Sequence, residues 1–215
     1  MRKRISSNPL TQHIQDNSSI YSFIVVLFLM GVIFGAVVVN SLSYGQKEDL
    51  FYYLSQFFGQ VADGKVATSE DLFRQSFFHN VKFLGLIWIL GISIIGLPLI
   101  LILLFMKGVV VGFTVGFLVN KMGWGGFLLS VVTVLPQNLL IIPVFIFITV
   151  LSVGFSLKLI RKIFIKQGMN FVFAPLFMRY AAAFIIAIGI ISVSASIEAY
   201  LSPALMKSIV STLKS

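Results

Sequence analysis

Residues 122–157 read MGWGGFLLSVVTVLPQNLLIIPVFIFITVLSVGFSL, and none of these side chains carries a charge. An α-helix needs about 20 apolar residues to cross a hydrocarbon core of about 30 Å. The stretch therefore has room for one membrane-spanning helix and an interfacial segment that leads into it. It indicates that lipid, rather than water, surrounds much of this chain.

The composition of the whole chain supports this interpretation. Of its 215 residues, 58% are hydrophobic and 11% are charged, whereas soluble globular domains carry about 25% charged residues. Further uncharged runs lie before and after the quoted stretch, at residues 20–39, 83–106, 108–120 and 180–197. The sequence predicts an all-α, polytopic integral membrane protein with about five transmembrane helices and amphipathic interfacial helices in an outer loop.

The run boundaries divide this single domain into segments. The first run is longer than the apolar region of a signal peptide, so we expect it to be a retained span. The third span is short, and the sequence leaves open whether it crosses the membrane or re-enters it. The predicted segments are a cytoplasmic tail (1–19), a first span (20–42), an outer amphipathic loop (43–80), a second span (81–106), a short third span (107–121), a kinked fourth span (127–157), a cytoplasmic basic segment (158–178), a fifth span (179–198) and an outer C-terminal tail (199–215).

The distribution of basic residues predicts the orientation, because cytoplasmic loops carry an excess of lysine and arginine. With the N-terminus inside and the C-terminus outside, the cytoplasmic segments contain one acidic residue, Asp16. Their basic residues are Arg2, Lys3, Arg4, Lys107, Lys158, Arg161, Lys162, Lys166 and Arg179. The net charge of +9 thus reflects topology and contact with anionic membrane lipids, and we expect no nucleic-acid partner.

The outer loop is too apolar to be a free loop. Its apolar residues recur at helical spacing, which predicts a helix on the outer membrane surface. A second helix, capped by Ser69, is predicted to continue into the second span. These helices either pack on the bundle or form a docking surface for an extracytoplasmic protein. The candidate docking residues are Leu50, Tyr53, Leu54, Phe57, Phe58, Phe73 and Phe77.

Glycines at intervals of four residues mark two spans. Gly108, Gly112 and Gly116 lie on one helical face, and Gly31 and Gly35 repeat the interval in the first span. Small residues at this spacing let two helix backbones approach closely. The sequence predicts either packing within one subunit or a homodimer interface.

We find no catalytic constellation in the sequence. There is no cysteine, and His13 and His79 fall outside the predicted spans. No ionisable side chains are predicted to converge at depth within the spans, although such groups usually mark intramembrane chemistry. We therefore expect no catalytic residue, no metal site, no cofactor and no enzymatic activity.

The motif LPQNLLIIP, residues 135–143, predicts a kink in the fourth span. Pro136 and Pro143 each remove a helical hydrogen bond. Gln137 and Asn138 can donate amide hydrogens to the freed carbonyls or to a neighbouring helix. The alternative is that this site is a hinge or contacts a solute.

Several features of the sequence together point to one family. They are the order of spans, the N-terminal RKR, DLFYYLSQFF in the outer loop, FMKGVVVGFTVGF, and LPQNLLIIP followed by SLKLIRKIF. In these features the chain resembles the stage II sporulation protein M family of spore-forming Firmicutes. The wider family is expected to carry P-H-G-x-x-E-x-P at the paired prolines. This chain has Gln137, Asn138 and Ile141 in place of His, Gly and Glu, so proton or metal chemistry of such relatives is not transferred to it.

The resemblance implies a non-catalytic scaffold for engulfment in endospore formation, located in the cell membrane at the sporulation septum and the engulfing mother-cell membrane. Its implied partners are the cell-wall hydrolases stage II sporulation proteins D and P. The sequence leaves one alternative: a permease-like channel or transporter half that works with an ATPase partner bound at the basic cytoplasmic segment.

Overall fold

In a computed structural model of the protein, residues 9–62, 68–165 and 173–213 are described, and all their regular structure is helical. The helices are α1 (Pro9–Asp16), α2 (Ser18–Ser41), α3 (Tyr44–Ala62), α4 (Ser69–Gly91), α5 (Gly96–Thr133), α6 (Leu135–Ile165) and α7 (Phe173–Leu213).

Among the described residues, 4 helices are long and apolar enough to cross a membrane: α2, α5, α6 and α7. The fold class of an all-α polytopic membrane protein is therefore confirmed. The number of five spans is not confirmed by this criterion, because α4 carries too many polar and charged side chains to meet it.

α6 lies at the centre of the bundle. In its most apolar window 56% of the residues are buried, against 28% in α2 and in α7. Its buried residues Phe145 and Ile148 pack with Leu84 of α4 and Leu104 of α5. The predicted fourth span is thus the helix around which the others assemble.

The predicted second span, residues 81–106, is wrong as a single helix. The chain turns between Gly91, where α4 ends, and Gly96, where α5 begins. Gly96 lies directly against the backbone of Leu90, and a Cβ atom there would overlap the Leu90 carbonyl. Pro98 fits because it occupies the first turn of α5, where its missing N–H costs no helical bond. The turn residues carry no charge and three of the four are isoleucine, so the turn could not be recognised within the uncharged run.

The predicted short third span, residues 107–121, is also wrong, because it is the second half of a longer helix that starts at Gly96. α5 runs without interruption to the GWGG motif, residues 123–126. The helix breaks at Gly123, which has a φ of 56°. Beyond it Gly126 lies against the carbonyl of Leu118, so residues 124–133 return alongside the segment that precedes the break. The chain therefore reverses at GWGG, within the interfacial segment that was predicted to lead into the fourth span.

Both helices predicted in the outer loop are present as α3 and the first half of α4. The N-cap of α4 is Thr68 rather than Ser69, and its hydroxyl accepts a hydrogen bond from the N–H of Asp71. The Lys121 ammonium group of α5 forms an ion pair with Glu48 of α3. The same ammonium group lies 5.6 Å from the ring centroid of Tyr44, so α3 is fixed to the GWGG end of the bundle.

The last helix is longer than predicted. α7 begins at Phe173 and continues to Leu213, so it includes residues assigned to the basic segment (158–178) and to the C-terminal tail (199–215). α6 likewise extends into the basic segment as far as Ile165. Residues 166–172 lie outside the described part of the chain.

Candidate functional site: a polar cluster inside the bundle

Five polar side chains meet between four helices and form what we call the interior polar cluster. Ser76 and Asn80 come from α4, Lys107 from α5, Gln137 from α6 and Glu198 from α7. Ser76 and Asn80 are buried, and the other three are partly buried. Each of the four helices contributes a side chain to the same hydrogen-bond network, so the network links all four helices.

The Glu198 carboxylate is the main acceptor of this network. The Ser76 hydroxyl and the Gln137 amide both donate to the same carboxylate oxygen, Oε2. The Gln137 amide also lies 3.1 Å from the Ser76 hydroxyl oxygen. Hydrogen bonds to an ionised acceptor are stronger than those between neutral groups, so Glu198 holds α4 and α6 against α7.

Lys107 reaches the cluster through Asn80. Its ammonium group donates to the Asn80 side-chain oxygen at 3.2 Å, and the Asn80 amide donates to the Ser76 carbonyl at 3.0 Å. Glu198 is the charge opposite Lys107. Asn80 and Ser76 therefore lie between a cation and an anion and connect them by hydrogen bonds.

The ammonium group of Lys107 is also placed over aromatic rings. It lies 5.1 Å from the ring centroid of Phe145 and 5.7 Å from that of Phe83. Aromatic faces attract cations, and this attraction increases when water is excluded. The two rings thus compensate for part of the hydration that Lys107 loses inside the bundle.

The cluster lies about halfway along the bundle. At 1.5 Å per residue, Lys107 is about 16 Å along α5 from Gly96 and about 21 Å from Lys121. Gln137 is likewise about 21 Å along the returning chain from Gly123. In a membrane protein this position corresponds to the apolar interior of the bilayer, where polar groups must find partners within the protein.

The sequence prediction that no ionisable side chains converge inside the spans is wrong. It counted Lys107 with the cytoplasmic charges and put Glu198 at the outer end of the fifth span, so the two side chains were expected on opposite sides of the membrane. The error follows from using each charge as the end of an apolar run. One signal was available in the sequence. Lys107 is the only charged residue between residues 83 and 120, and a loop between two spans usually contains more polar residues than this.

The two glycine series face each other within one chain. A Cβ atom on Gly31 would overlap the Phe105 carbonyl of α5, and one on Gly112 would overlap the Val32 carbonyl of α2. Gly35 and Gly108 make equally close approaches between the same two helices, and an added Cβ on Gly116 would lie 3.0 Å from the Cα of Ala36. The glycines therefore form the α2–α5 contact of this subunit, and a second copy would have to bind another face.

The paired-proline site combines both local and long-range hydrogen bonds. The Asn138 amide donates to the Val134 carbonyl at 2.8 Å, beside the break between α5 and α6, whereas the Gln137 amide belongs to the interior polar cluster. The Gln137 carbonyl accepts from the Ser194 hydroxyl of α7 at 3.1 Å. Pro143 lies inside α6. The Val134 carbonyl also accepts from the Asn138 N–H at 3.2 Å, so the Asn138 amide adds a second bond there and does not reach the carbonyl of residue 132, which Pro136 leaves without a donor. Gln137 connects helices.

The residues predicted to form an outer docking surface do not all share one environment. Tyr53 is 69% exposed and Leu50 is 37% exposed. Leu54 is partly buried. Phe73 and Phe77 of α4 are partly buried, and their rings stack with centroids 5.7 Å apart. The side chains of Phe57 and Phe58 lie outside the described part of the structure.

No metal site accompanies these residues. In the described part of the chain, no three histidine, cysteine, aspartate or glutamate side chains lie close enough together to hold a metal ion.

The family model described as stage II sporulation protein M matches residues 24–203. The chain belongs to this family. No curated protein matches the chain, and no solved structure matches it. Membership of the stage II sporulation protein M family makes the chain a sporulation-related membrane protein. The matched region includes most of α2, the interior polar cluster and the paired prolines.

Proposed function

We propose that this member of the stage II sporulation protein M family is a non-catalytic membrane scaffold for engulfment. In this role it holds the cell-wall hydrolases, stage II sporulation proteins D and P, at the septal and engulfing membrane. The family match supports the process, and the polar surface of α4 supports the presence of a partner within the membrane.

The observation that carries the proposal is an exposed polar stripe on α4. Gln75, His79 and Lys82 lie at helical spacing and are all exposed. None of the three has a hydrogen bond or an ion pair to another described residue. They flank Asn80, so they lie at the depth of the interior polar cluster. A lysine facing lipid near the bilayer centre costs about 2.5–3.5 kcal/mol, and a partner that covers this stripe removes that cost.

The outer end of the bundle offers the second part of the contact. Tyr52 and Tyr53 of α3 are 59% and 69% exposed, and Tyr44 is 79% exposed. Tyrosine is enriched where proteins bind each other because it combines a large apolar ring with a hydroxyl group. We propose that these tyrosines contact the extracytoplasmic part of the same partner, while a helix of the partner that carries acidic or amide side chains covers the stripe.

The absence of cysteine from the chain permits a direct test. His79→Cys places one thiol in the stripe, and Val193→Cys places one on α7, where Val193 is 57% exposed on a purely apolar surface. Each thiol is labelled with a reagent that carries a maleimide and a photoreactive group, and the membranes of sporulating cells are then irradiated. We expect His79→Cys to be joined to a hydrolase and Val193→Cys to give much less product. Equal yields from the two positions would contradict the proposal.

The same experiment examines the proposed homodimer. A crosslinked product with twice the mass of the chain would show that a second copy covers the stripe. The glycine contacts are already used within one subunit, so α4 is the face that we propose for any such dimer. A tagged copy with His79→Cys is expressed beside the untagged wild-type chain, and the dimer is identified as a product that contains one tagged and one untagged copy.

A permease-like role with an ATPase partner is the second candidate function, and the interior polar cluster favours it. A charged network at mid-depth is a common feature of solute and proton pathways. Affinity capture of the full chain from sporulating cells separates the two functions. Recovery of hydrolases without an ATPase supports the scaffold, and recovery of an ATPase without hydrolases supports the permease.

A further inference from the structure

A cavity lies between α6 and α7, near the end of the bundle where α6 ends and α7 begins. Its volume is about 280 Å³, and its walls include Phe147, Leu151, Gly154 and Phe155. The Tyr180 hydroxyl at its edge donates to the carbonyl of Trp88, close to the α4–α5 turn, at 2.8 Å. The cavity thus opens at the end opposite Lys121 and the GWGG motif.

Two basic side chains lie on the rim of this apolar cavity. Lys158 of α6 and Arg179 of α7 both line it and both are exposed. Neither forms an ion pair or a hydrogen bond with another described residue. Asp16, at the end of α1 and adjacent to the lining residue Asn17, is exposed and forms no ion pair with them. The rim therefore carries positive charge that no described group of the protein neutralises.

The cavity contains free space where a side chain would normally lie. A Cβ atom added to Gly154 would meet no atom within 4 Å. Most close-packed helix contacts leave no such space. Gly154 thus opens the cavity wall rather than permitting a close backbone approach, as the glycines of the α2–α5 contact do.

We propose that this cavity binds one anionic phospholipid. Lys158 and Arg179 donate charge-assisted hydrogen bonds to the headgroup phosphate. One acyl chain lies along the apolar wall at Gly154. The end of the bundle with Lys158, Arg161, Lys162 and Arg179 is the end that the distribution of basic residues assigns to the cytoplasmic leaflet, where anionic lipids concentrate.

The lipid, rather than a soluble anion, is the occupant because the cavity is lined mainly by carbon atoms and belongs to a chain that crosses the membrane. A free phosphate would use the two basic groups and leave the apolar wall unfilled. A phosphatidylcholine would fill the wall, but its headgroup carries a choline cation that opposes the rim charge. The site should therefore distinguish lipids by headgroup charge.

The test uses the full-length protein, purified in detergent and incubated with phosphatidylglycerol or phosphatidylcholine. Native mass spectrometry measures the fraction of protein that retains one lipid. We expect Lys158→Gln with Arg179→Gln to weaken phosphatidylglycerol binding at least about tenfold, because each basic group near a membrane surface contributes to anionic-lipid binding. Arg161→Gln, an exposed charge on the same helix that does not line the cavity, should bind as the wild type does.

A second pair of variants tests the apolar wall without changing charge. Gly154→Leu fills the open space and should reduce phosphatidylglycerol binding while leaving the thermal stability nearly unchanged. Gly189→Leu is its control, since an added Cβ there also meets no atom within 4 Å but lies outside the cavity. Equal lipid retention by Gly154→Leu and Gly189→Leu would overturn the assignment of the acyl chain.

Two further outcomes would overturn the proposal as a whole. One is equal retention of phosphatidylglycerol and phosphatidylcholine by the wild type. The other is complete competition by inorganic phosphate at the same concentration as the lipid, which would make this a soluble-anion site. Neither outcome depends on the hydrolases, so the scaffold proposal and the lipid proposal can fail separately.

Discussion

Removing both charges of the interior polar cluster should destabilise the bundle by clearly less than the sum of the two single removals. Glu198→Gln keeps the size of the side chain but leaves Lys107 without an opposite charge inside the bundle. Lys107→Met leaves the Glu198 carboxylate in the same position. Truncating one partner of a buried ion pair costs about 3–5 kcal/mol. Neither side chain is fully buried, and Asn80 lies between them, so the lower end of this range applies. We expect each single change to lower the free energy of unfolding by about 3 kcal/mol.

The double variant, Lys107→Met with Glu198→Gln, removes both charges together. If the charges were independent, the costs would add to about 6 kcal/mol, twice the single cost. We expect the double variant to lose about 2 kcal/mol less than this sum, because coupled neighbouring groups show interaction energies of about 0.5–3 kcal/mol. This interaction energy is the quantity that identifies the two side chains as one electrostatic unit.

The assay is reversible unfolding of the purified protein in mixed micelles, followed by the fluorescence of Trp88 and Trp124. The ion pair between Lys121 and Glu48 provides the control, since the side chain of Glu48 is 46% exposed. Glu48→Gln should cost less than about 1 kcal/mol. Additive costs at Lys107 and Glu198, or single costs no larger than that of Glu48→Gln, would refute the account of the cluster.

Three further predictions concern packing, the kink and topology. Gly112→Leu should prevent the close approach of α2 and α5 and lower the amount of folded protein in the membrane. Val110→Leu is the control and should be tolerated, because Val110 is 57% exposed. Equal levels of the two variants on an immunoblot would contradict the role of the glycine contact. Pro136→Ala should not restore the membrane level of an Asn138→Leu variant, because the donor that it returns serves the carbonyl of residue 132, whereas the Asn138 amide donates to the Val134 carbonyl. Full rescue on the same immunoblot would contradict this assignment of the Asn138 amide. A reporter that is active only outside the membrane should be active when fused after Ser215, and inactivity there would reverse the proposed orientation.

The sequence predicted the medium, the fold class and several local features, since these depend on residues that are neighbours along the chain. Uninterrupted apolar runs identify membrane helices by length alone. The chain reversal at Gly123 and the helices of the outer loop follow from glycine, capping and periodicity signals within a few residues. The glycine intervals predicted a close helix contact, but they could not select the helix that makes it.

The tertiary structure alone decided the α4–α5 turn and the interior polar cluster. Residues 92–95 are three isoleucines and Ser93 and carry no charge, so a turn between two packed helices has the same composition there as the middle of one span. Lys107 and Glu198 are separated by the whole of α6 in the sequence, and each looks like the end of a span. A charge can remain inside a bundle when hydrogen-bond donors, acceptors and aromatic rings from other helices replace its water. Those groups, Asn80 and Gln137 among them, come together only after the helices have packed.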